Sequence, residues 1–269
     1  MKCLVLNPKG GVCKSSVATQ IVAPYIYRFS KTKVPYFEFD LHNDDILGFE
    51  KSKIIEPHLY QKEKEIPNLI DELEFAEHAV VDLGGNASTS ILLDYFAKTG
   101  TVGNFDLIIT PFGDSDLDIK GAIEVYKQLS KEWDFAVVQA LTRVSKTDQC
   151  NLEDQFFHYF GDINNIVDGR LGLREEFNKK DQNYILLPTD SAITLSRCFG
   201  ETIYEIGIKD RSKLTSTKMK AQANGNKKEF MKCNKLLRFY EYCSFFTKEV
   251  LNPAFKVFDT VLNSSEEKE

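Results

Sequence analysis

A segment near the beginning of the sequence, 7–16, has the composition of a loop that binds phosphate groups. Gly10 and Gly11 lack a β-carbon and allow successive backbone N–H groups to converge on an anion. Lys14 would neutralise phosphate oxygens, and the hydroxyl of Ser15 is suited to Mg²⁺. The segment follows an apolar run, 3–6, and opens an amphipathic stretch, so a helix N-terminus would point at the same anion. The sequence therefore predicts a phosphate-binding loop between a strand and a helix.

Two carboxylates stand at the ends of later apolar runs. Asp40 follows the run 35–39, and Asp82 lies in the run 79–83, ahead of the pair Gly84 and Gly85. Carboxylates near a phosphate loop make chemical sense, because phosphoryl transfer to water depends on orientation and on the management of charge around Mg²⁺.

Short apolar runs alternate with amphipathic stretches, which is the pattern of repeated βαβ units around a parallel sheet. We expect an α/β fold with a doubly wound, mostly parallel sheet flanked by helices, and a C-terminal helical extension. Pro24 is expected to kink or end the first helix. The predicted strands are 3–6, 35–39, 79–83, 107–111, 135–139 and 184–187, and the predicted helices are 14–28, 88–98, 117–133, 152–160 and 191–206.

Charge is unevenly distributed along the 269 residues, whose formal net charge is −6. This acidity excludes a uniformly basic coat for nucleic acid. The segment 209–238, which begins at Lys209 and ends at Arg238, nevertheless has ten basic and two acidic residues, a net charge of +8. Its part 209–228 is polar, which predicts a mobile basic connector between a domain at 1–208 and a helical segment at 229–269. Pro253 is expected to divide that last segment into two helices.

The cysteines are scattered and form no C-x-x-C pair, so neither a disulfide framework nor a zinc site is expected. No apolar run has the length of a signal-peptide core or of a membrane span. These features predict a cytoplasmic protein. The six cysteines are Cys3, Cys13, Cys150, Cys198, Cys233 and Cys243.

The phosphate loop resembles the deviant Walker A motif, K-G-G-x-G-K-[ST], of the ParA/MinD family of P-loop ATPases. Lys9 is the signature lysine of that motif, and Asn7 matches the N-x-K-G-G form common in the ParA branch. The segment that ends at Asp40 resembles the D-x-D element of the family, and the strand that contains Asp82 resembles Walker B. The resemblance covers about residues 1–208 and is nearest to small ParA-type and StbB-like plasmid partition and stability proteins.

The resemblance implies a switch ATPase that hydrolyses ATP to ADP and phosphate with Mg²⁺ and forms a homodimer in the ATP state. It implies that Lys9 reaches the partner's nucleotide, that Lys14 holds the bound phosphates and that Asp40 positions the attacking water. Ser15 would bind Mg²⁺ directly, and Asp82 would bind it through its water shell. The implied nucleotide-binding residues are Lys9, Gly10, Gly11, Val12, Cys13, Lys14, Ser15 and Ser16.

Three positions depart from the family pattern. Cys13 stands where the motif has glycine, Glu38 replaces the first aspartate of D-x-D, and His42 replaces a common glutamine. We interpret Cys13 as a tolerated small residue; the alternative is an oxidisable thiol that limits nucleotide binding. The departures leave open a module that binds nucleotide without hydrolysis, but the retained Lys14, Asp40 and Asp82 favour an active enzyme. The usual asparagine that contacts adenine is not evident.

The resemblance further implies a role in plasmid or DNA partition, with a ParB-like, DNA-bound partner protein that stimulates hydrolysis. The basic segment 209–238 suits nonspecific contact with the DNA backbone, although a solvated linker has the same composition. A MinD-like ATPase that positions a protein or membrane cargo is an alternative. The acid-rich end, 264–269, disfavours binding to an anionic membrane.

Two other classes share the phosphate loop. A small-molecule ATP-dependent kinase or ligase, similar to the dethiobiotin-synthetase relatives, would transfer phosphate to a substrate, but Lys9 favours the dimeric switch branch. An iron protein of the nitrogenase type would need two cysteines that share a cluster across the dimer. No cysteine pair in the sequence follows the strands that such a cluster requires.

Overall fold

The computed structural model of the protein describes residues 1–41, 43–85, 87–131, 133, 135–145, 151–162 and 169–266. Within these ranges, seven strands form one sheet in the order β3-β2-β4-β1-β5-β6-β7, and every neighbouring pair is parallel. The expected α/β class with a doubly wound parallel sheet is confirmed. The strands are β1 Lys2–Val5, β2 Val34–Phe39, β3 Ile55–Tyr60, β4 Ala79–Leu83, β5 Leu107–Phe112, β6 Ala136–Val144 and β7 Tyr184–Pro188.

Helices cover both faces of the sheet. They are α1 Lys14–Val17, α2 Ala23–Ser30, α3 Ile66–Phe75, α4 Ala87–Thr99, α5 Asp116–Leu129, α6 Leu152–Gln155, α7 Phe157–Phe160, α8 Ser191–Phe199, α9 Ile203–Gly207, α10 Ser212–Ala223, α11 Lys227–Phe246 and α12 Asn252–Glu266.

The central strand β1 is apolar on both faces, as a strand between two helical layers must be. Cys3 and Val5 pack into one core with α2, α9 and α12, and Leu4 and Leu6 pack into the opposite core with α3 and α4. All four side chains are buried. The segment that follows β1 therefore emerges in the middle of the carboxyl edge of the sheet.

The first helix continues past Pro24. A π-helical turn, Ala18–Val22, joins α1 to α2 without a break and ends two residues before this proline. A second π-turn, Thr247–Leu251, joins α11 to α12 and ends two residues before Pro253. Proline has no N–H for an intrahelical hydrogen bond, and a π-turn changes the bonding pattern where that donor is missing. The helix therefore does not end at Pro24, which was one of the two outcomes expected there, and the expectation that Pro253 divides the last segment is wrong.

The expectation of a mobile connector is wrong over Ser212–Ala223, which forms α10. This helix packs antiparallel to α11, with Ala221 buried and the Nζ of Lys218 5.5 Å from the centre of the Phe230 ring. The guanidinium of Arg211 donates to the carbonyl oxygen of Tyr240 at 3.2 Å. The segment has few apolar residues, but its alanine, lysine, methionine and glutamine residues have high helix propensity.

The last helices belong to the main core. Phe246 and Phe258 are buried in the same cluster as the β-strand side chains. Asp259 of α12 accepts two hydrogen bonds from Arg28 at 2.8 and 2.9 Å and one from the Tyr25 hydroxyl at 2.8 Å. The C-terminal helical extension therefore covers one face of the sheet.

Two further elements besides α10 were not expected, and two predicted helices are divided. The unexpected elements are β3, an edge strand that contains Pro57, and α3. Proline is tolerated at a sheet edge, and β3 is half exposed, so it lacks the continuous apolar pattern of the inner strands. The predicted helix 191–206 ends early at Gly200, which has a φ of 71°, and 152–160 is interrupted at Phe156.

No helix in the described ranges is long and apolar enough to cross a membrane. The described cysteines are all free thiols. Cys150 and His42 lie outside the described residues.

Candidate functional site

The predicted phosphate loop connects β1 to α1 and contains two residues with a positive φ. Gly11 has a φ of 76°, and Cys13, directly before the first helical residue, has a φ of 63°. Alternation of left-handed and right-handed residues turns successive N–H groups toward one point. The loop therefore has the backbone form of an anion-binding turn.

Cys13 occupies the position where the motif has glycine, and its backbone explains that preference. A residue with a side chain in the left-handed conformation costs about 1–2 kcal/mol, whereas glycine adopts it freely. The Cys13 side chain is partly exposed and lines the cavity beneath the loop. The loop thus keeps its conformation although the backbone of Cys13 is strained.

Asn7 anchors the beginning of the loop. Its amide nitrogen donates to the carbonyl oxygens of Pro111 at 2.8 Å and Asp118 at 3.1 Å, and its Oδ1 accepts the N–H of Lys9 at 2.9 Å. Gly121 packs so closely that a β-carbon on it would lie 3.0 Å from the Asn7 Oδ1. Asn7 is fully buried and joins the loop to β5 and α5.

Lys14 lies inside the loop and not on its surface. Its Nζ donates to the carbonyl oxygen of Lys9 at 2.9 Å, and the side chain is buried. Burial lowers the pKa of the Lys14 ammonium, while Asp82 and Asp40 act in the opposite direction. A bound phosphate would supply the counter-charge that the loop carbonyl supplies only in part.

The Asp82 side chain lines the cavity beneath the loop. The Tyr36 hydroxyl donates to its Oδ2 at 2.9 Å, and its buried Oδ1 has no hydrogen-bond partner among the described residues. Burial raises the pKa of the Asp82 carboxyl to about 6, against the opposing effects of Ser15, Tyr36 and Lys14. An unsatisfied carboxylate oxygen beside the Ser15 hydroxyl is a suitable ligand environment for a hard cation.

Asp40 lies at the carboxyl end of β2, adjacent to the end of β4. Its carboxylate accepts from the Asn43 side chain at 2.9 Å and from the Asn43 N–H at 3.3 Å. Gly84 packs directly against it, and a β-carbon on Gly84 would overlap the carboxyl group. The next glycine, Gly85, approaches the backbone of Gly10, so the segment after β4 contacts both Asp40 and the phosphate loop.

These groups line one cavity of about 280 Å³. Glu38, Asp40 and Asp82 contribute three carboxylates to its lining, and Lys14 contributes one ammonium. That excess of acidic groups suits a cation bound together with an anionic ligand. The lining contains every predicted nucleotide-binding and metal-binding residue except Lys9: Gly10, Gly11, Val12, Cys13, Lys14, Ser15, Ser16, Asp40 and Asp82.

The Lys9 side chain is exposed and lies outside the lining of this cavity. Its backbone is well fixed, because its N–H bonds to Asn7 and its carbonyl oxygen accepts from Lys14. The ammonium is therefore presented to the surface from an ordered loop.

Two residues at the end of β6 contact the loop and were not expected from the sequence. The Thr142 hydroxyl donates to the carbonyl oxygen of Val12 at 3.2 Å, and the Arg143 guanidinium donates to the carbonyl oxygen of Gly11. The predicted strand ended at 139, whereas β6 continues to Val144. Recognition of the longer strand would have placed both residues at the carboxyl edge.

The basic segment 209–238 forms a hairpin of α10 and the first half of α11, which we call the basic hairpin. Tyr242 follows it on α11, and its hydroxyl donates to Asp190, directly after β7 at the carboxyl edge of the sheet. Further along the same continuous helix, Asp259 pairs with Arg28, near the end of α2. The helix therefore runs back across the sheet from Tyr242, and the basic hairpin lies toward the edge that carries the phosphate loop. Its exposed cations are Lys213, Lys220, Lys227, Lys228, Lys232, Lys235 and Arg238.

Solved structures with a similar fold include two of McdA from Cyanothece. An ATP complex of a McdA variant is 11% identical, with a TM-score of 0.52, over 77% of this chain and 90% of that chain. Apo McdA is also 11% identical, with a TM-score of 0.53, over 77% and 92%. A putative plasmid partition protein from Borrelia burgdorferi, bound to AMPPNP, is 11% identical over 89% and 97%, with a TM-score of 0.44.

No protein-family model matches the chain, and neither does any curated protein sequence. The likeness to McdA is therefore one of fold. The chain therefore shares the fold of McdA, and the fold that the resemblance of the phosphate loop implied is confirmed.

Proposed function

We propose that this protein is a Mg²⁺-dependent ATPase of the ParA type, which switches between a nucleotide-free or ADP state and an ATP-bound homodimer. The proposal rests on one observation: Lys14, Ser15, Asp40 and Asp82 line the same cavity, beneath a phosphate loop in which two residues have a positive φ. The McdA variant of the same fold was solved with ATP, which supports ATP as the nucleotide.

The backbone of 10–16 would bind the phosphates. Its N–H groups and the N-terminus of α1 supply positive partial charge, and Lys14 supplies a full charge once it exchanges the Lys9 carbonyl for a phosphate oxygen. Exchange of the neutral carbonyl oxygen for a phosphate oxygen strengthens the interaction, because the ammonium then faces a full negative charge.

The residues present fit a magnesium ion. The Ser15 hydroxyl and the unsatisfied Oδ1 of Asp82 would hold it, the latter through water. Bound Mg²⁺ supplies charge neutralisation on the phosphate oxygens. The carboxyl of Asp82 must be ionised for this task, so its raised pKa makes the site sensitive to mild acid.

Asp40 would orient the water that attacks the γ-phosphate. Asn43 fixes the carboxylate from one side and Gly84 confines it from the other. Catalysis of this reaction depends chiefly on positioning and on charge, so a carboxylate held this firmly is a suitable orienting group. Lys9, exposed on an ordered loop, would reach the nucleotide of the second protomer in the homodimer.

The proposed cargo is DNA, held by its phosphate backbone on the basic hairpin, in plasmid or DNA partition in the cytoplasm. The hairpin has a net charge of +8, and its exposed lysines and arginine need no particular base sequence. A ParB-like, DNA-bound protein is the proposed partner that stimulates hydrolysis.

The proposal is tested by ATP hydrolysis and by binding to nonspecific duplex DNA at two salt concentrations, with Mg·ATP, a nonhydrolysable analogue, ADP or no nucleotide. We expect phosphate release that Asp40→Ala abolishes, and salt-sensitive DNA binding only with ATP or the analogue. Charge reversal at Lys213, Lys220 and Lys228 should remove DNA binding and preserve ATP binding.

Equal hydrolysis by the wild-type and Asp40→Ala proteins would remove Asp40 from the mechanism. DNA binding that is absent in every nucleotide state would direct the search to a protein or membrane cargo.

A further inference from the structure

Arg143 is held beside the phosphate loop by an irregularity in β6. Its φ is 59°, and the register of β6 with β7 shifts between Thr142 and Val144. A bulge of this kind redirects one side chain out of the regular alternation of a strand. Here the guanidinium is directed onto the carbonyl oxygen of Gly11.

Thr142 and Arg143 together hold two successive carbonyl groups of the loop. The Thr142 hydroxyl shares its one hydrogen between the carbonyl oxygens of Val12, at 3.2 Å, and Phe112, at 3.1 Å, and Arg143 donates to the carbonyl oxygen of Gly11. A peptide unit is planar and trans, so its N–H points away from its carbonyl oxygen. When these two carbonyls are drawn toward β6, the N–H groups of Val12 and Cys13 are directed to the opposite side, into the cavity.

Arg143 makes no ion pair with a carboxylate within the described ranges, and its side chain is exposed. A hydrogen bond from such an exposed arginine to a carbonyl group adds little to the stability of the protein. It has a use if the orientation of that carbonyl group matters. Cys13, two residues after Gly11, gives a reason to fix this orientation. Its left-handed backbone would relax if the loop were not held.

We propose that Arg143 is a positioning residue for phosphate binding, which acts through Gly11 to keep the loop in its anion-binding form despite the strain at Cys13. The inference rests on the proposed function, because it assumes that the loop binds nucleotide phosphates. Arg143 would raise the affinity for ATP and ADP without contact with the reacting atoms.

The test compares affinities for Mg·ATP and for ADP by calorimetric titration of the full chain. Arg143→Ala should bind both nucleotides roughly tenfold more weakly, the usual effect of one lost hydrogen bond from a charged group. The KM for ATP should rise by a similar factor while kcat changes little. Arg143→Lys should recover part of the loss, because an ammonium can donate one bond to the same carbonyl. Arg170→Ala, at an exposed arginine that does not line the cavity, is the matched control.

A double-mutant cycle with Cys13→Gly tests the link to strain. Glycine adopts the left-handed conformation without help, so the penalty of Arg143→Ala should be at least about threefold smaller in the Cys13→Gly background. Equal penalties in both backgrounds, wild-type affinity in Arg143→Ala, or a loss of kcat at constant KM would each overturn the inference. Failure of the wild-type protein to bind either nucleotide would instead overturn the proposed function and this inference with it. Thermal unfolding of each variant without nucleotide verifies that the chain is folded.

Discussion

Gly84 and Asp40 are in such close contact that Gly84 has no room for a side chain. A β-carbon at Gly84 would lie 2.5 Å from both the carboxyl carbon and the Oδ2 of Asp40. The backbone of the two strand ends is fixed at this point, because the Gly84 N–H donates to the carbonyl oxygen of Phe39 at 2.8 Å. The carboxylate must therefore move if position 84 gains a methyl group.

We expect Gly84→Ala to lower kcat for ATP hydrolysis by roughly 10- to 100-fold, since displacement of an orienting group by about 1 Å has effects of this size. ATP affinity should change by less than about threefold, because the phosphate loop keeps its own contacts. Steady-state hydrolysis together with nucleotide titration measures both quantities. Gly48→Ala is the control, because a β-carbon there meets no atom within 4 Å. Normal turnover by Gly84→Ala would contradict the role of Asp40.

Position 13 should discriminate between side chains according to their tolerance of a positive φ. Cys13→Gly should retain ATPase activity and change the free energy of unfolding little, because relief of strain is offset by the greater entropy of glycine in the unfolded chain. Cys13→Val should lose about 1–2 kcal/mol of stability and most of its nucleotide affinity, because a β-branched residue fits this conformation poorly. Urea unfolding and nucleotide titration check the pair. Loss of all activity in Cys13→Gly would count against the alignment of this loop with the deviant Walker A motif.

The buried Asp82 should make stability depend on pH in the direction opposite to that of an ion-paired carboxylate. Its pKa is raised from 3.8 to about 6, so the folded protein holds a proton over a range in which the unfolded chain has lost it. The contribution of Asp82 to stability is therefore present below pH 3.8 and is lost as the pH rises through about 6. A shift of this size corresponds to about 3 kcal/mol.

Asp82→Asn should remove this dependence. We expect the variant without nucleotide to gain stability relative to the wild type as the pH rises from 4 to 7, up to about 2–3 kcal/mol, and to lose Mg²⁺-dependent ATP hydrolysis. Urea unfolding at several pH values gives the difference curve. A constant stability difference across this range would show that Asp82 titrates normally.

The residues that come together at the site could be predicted from the sequence, but the residues that hold the phosphate loop in place could not. Lys14 and Ser15 belong to one short segment that connects a recognisable strand to a helix, so their order along the chain already defines their position. Thr142 and Arg143 reach the loop across about 130 residues, through a strand whose end is irregular. No pattern of apolar residues reports such a bulge, because its effect is on the direction of one side chain.

The elements with weak apolar patterns were missed for a related reason. The edge strand β3 exposes part of its surface and contains Pro57, and α10 depends on helix propensity and on its packing against α11. The inner strands, buried on both faces, have continuous apolar runs and were all expected near their observed positions. Prediction from the sequence was therefore most accurate where the chain is buried on both sides.

Tyr242 connects the basic hairpin to the edge of the sheet that carries the phosphate loop. Its hydroxyl donates to Asp190, which also caps α8 by accepting the Ala192 N–H at 2.8 Å. The preceding Thr189 donates its N–H to the carbonyl oxygen of Val144 at 3.2 Å, at the end of β6 and next to Arg143. A continuous set of contacts thus joins the loop to α11 and offers a route by which nucleotide binding changes the orientation of the hairpin.

We expect Tyr242→Phe to reduce the ATP-dependent gain in DNA affinity by at least about threefold and to leave ATP affinity unchanged, because the ring is kept and the hydrogen bond to Asp190 is lost. DNA binding without nucleotide should stay as low as that expected for the wild type, since no cation of the basic hairpin is altered. Fluorescence anisotropy of a labelled duplex, with and without Mg·ATP, measures the gain. Tyr240→Phe is the matched control: it lies on the same helix, and its contact with Arg211 is through its backbone carbonyl. An identical response of the two variants would show that the Tyr242 hydroxyl does not couple the nucleotide site to the basic hairpin.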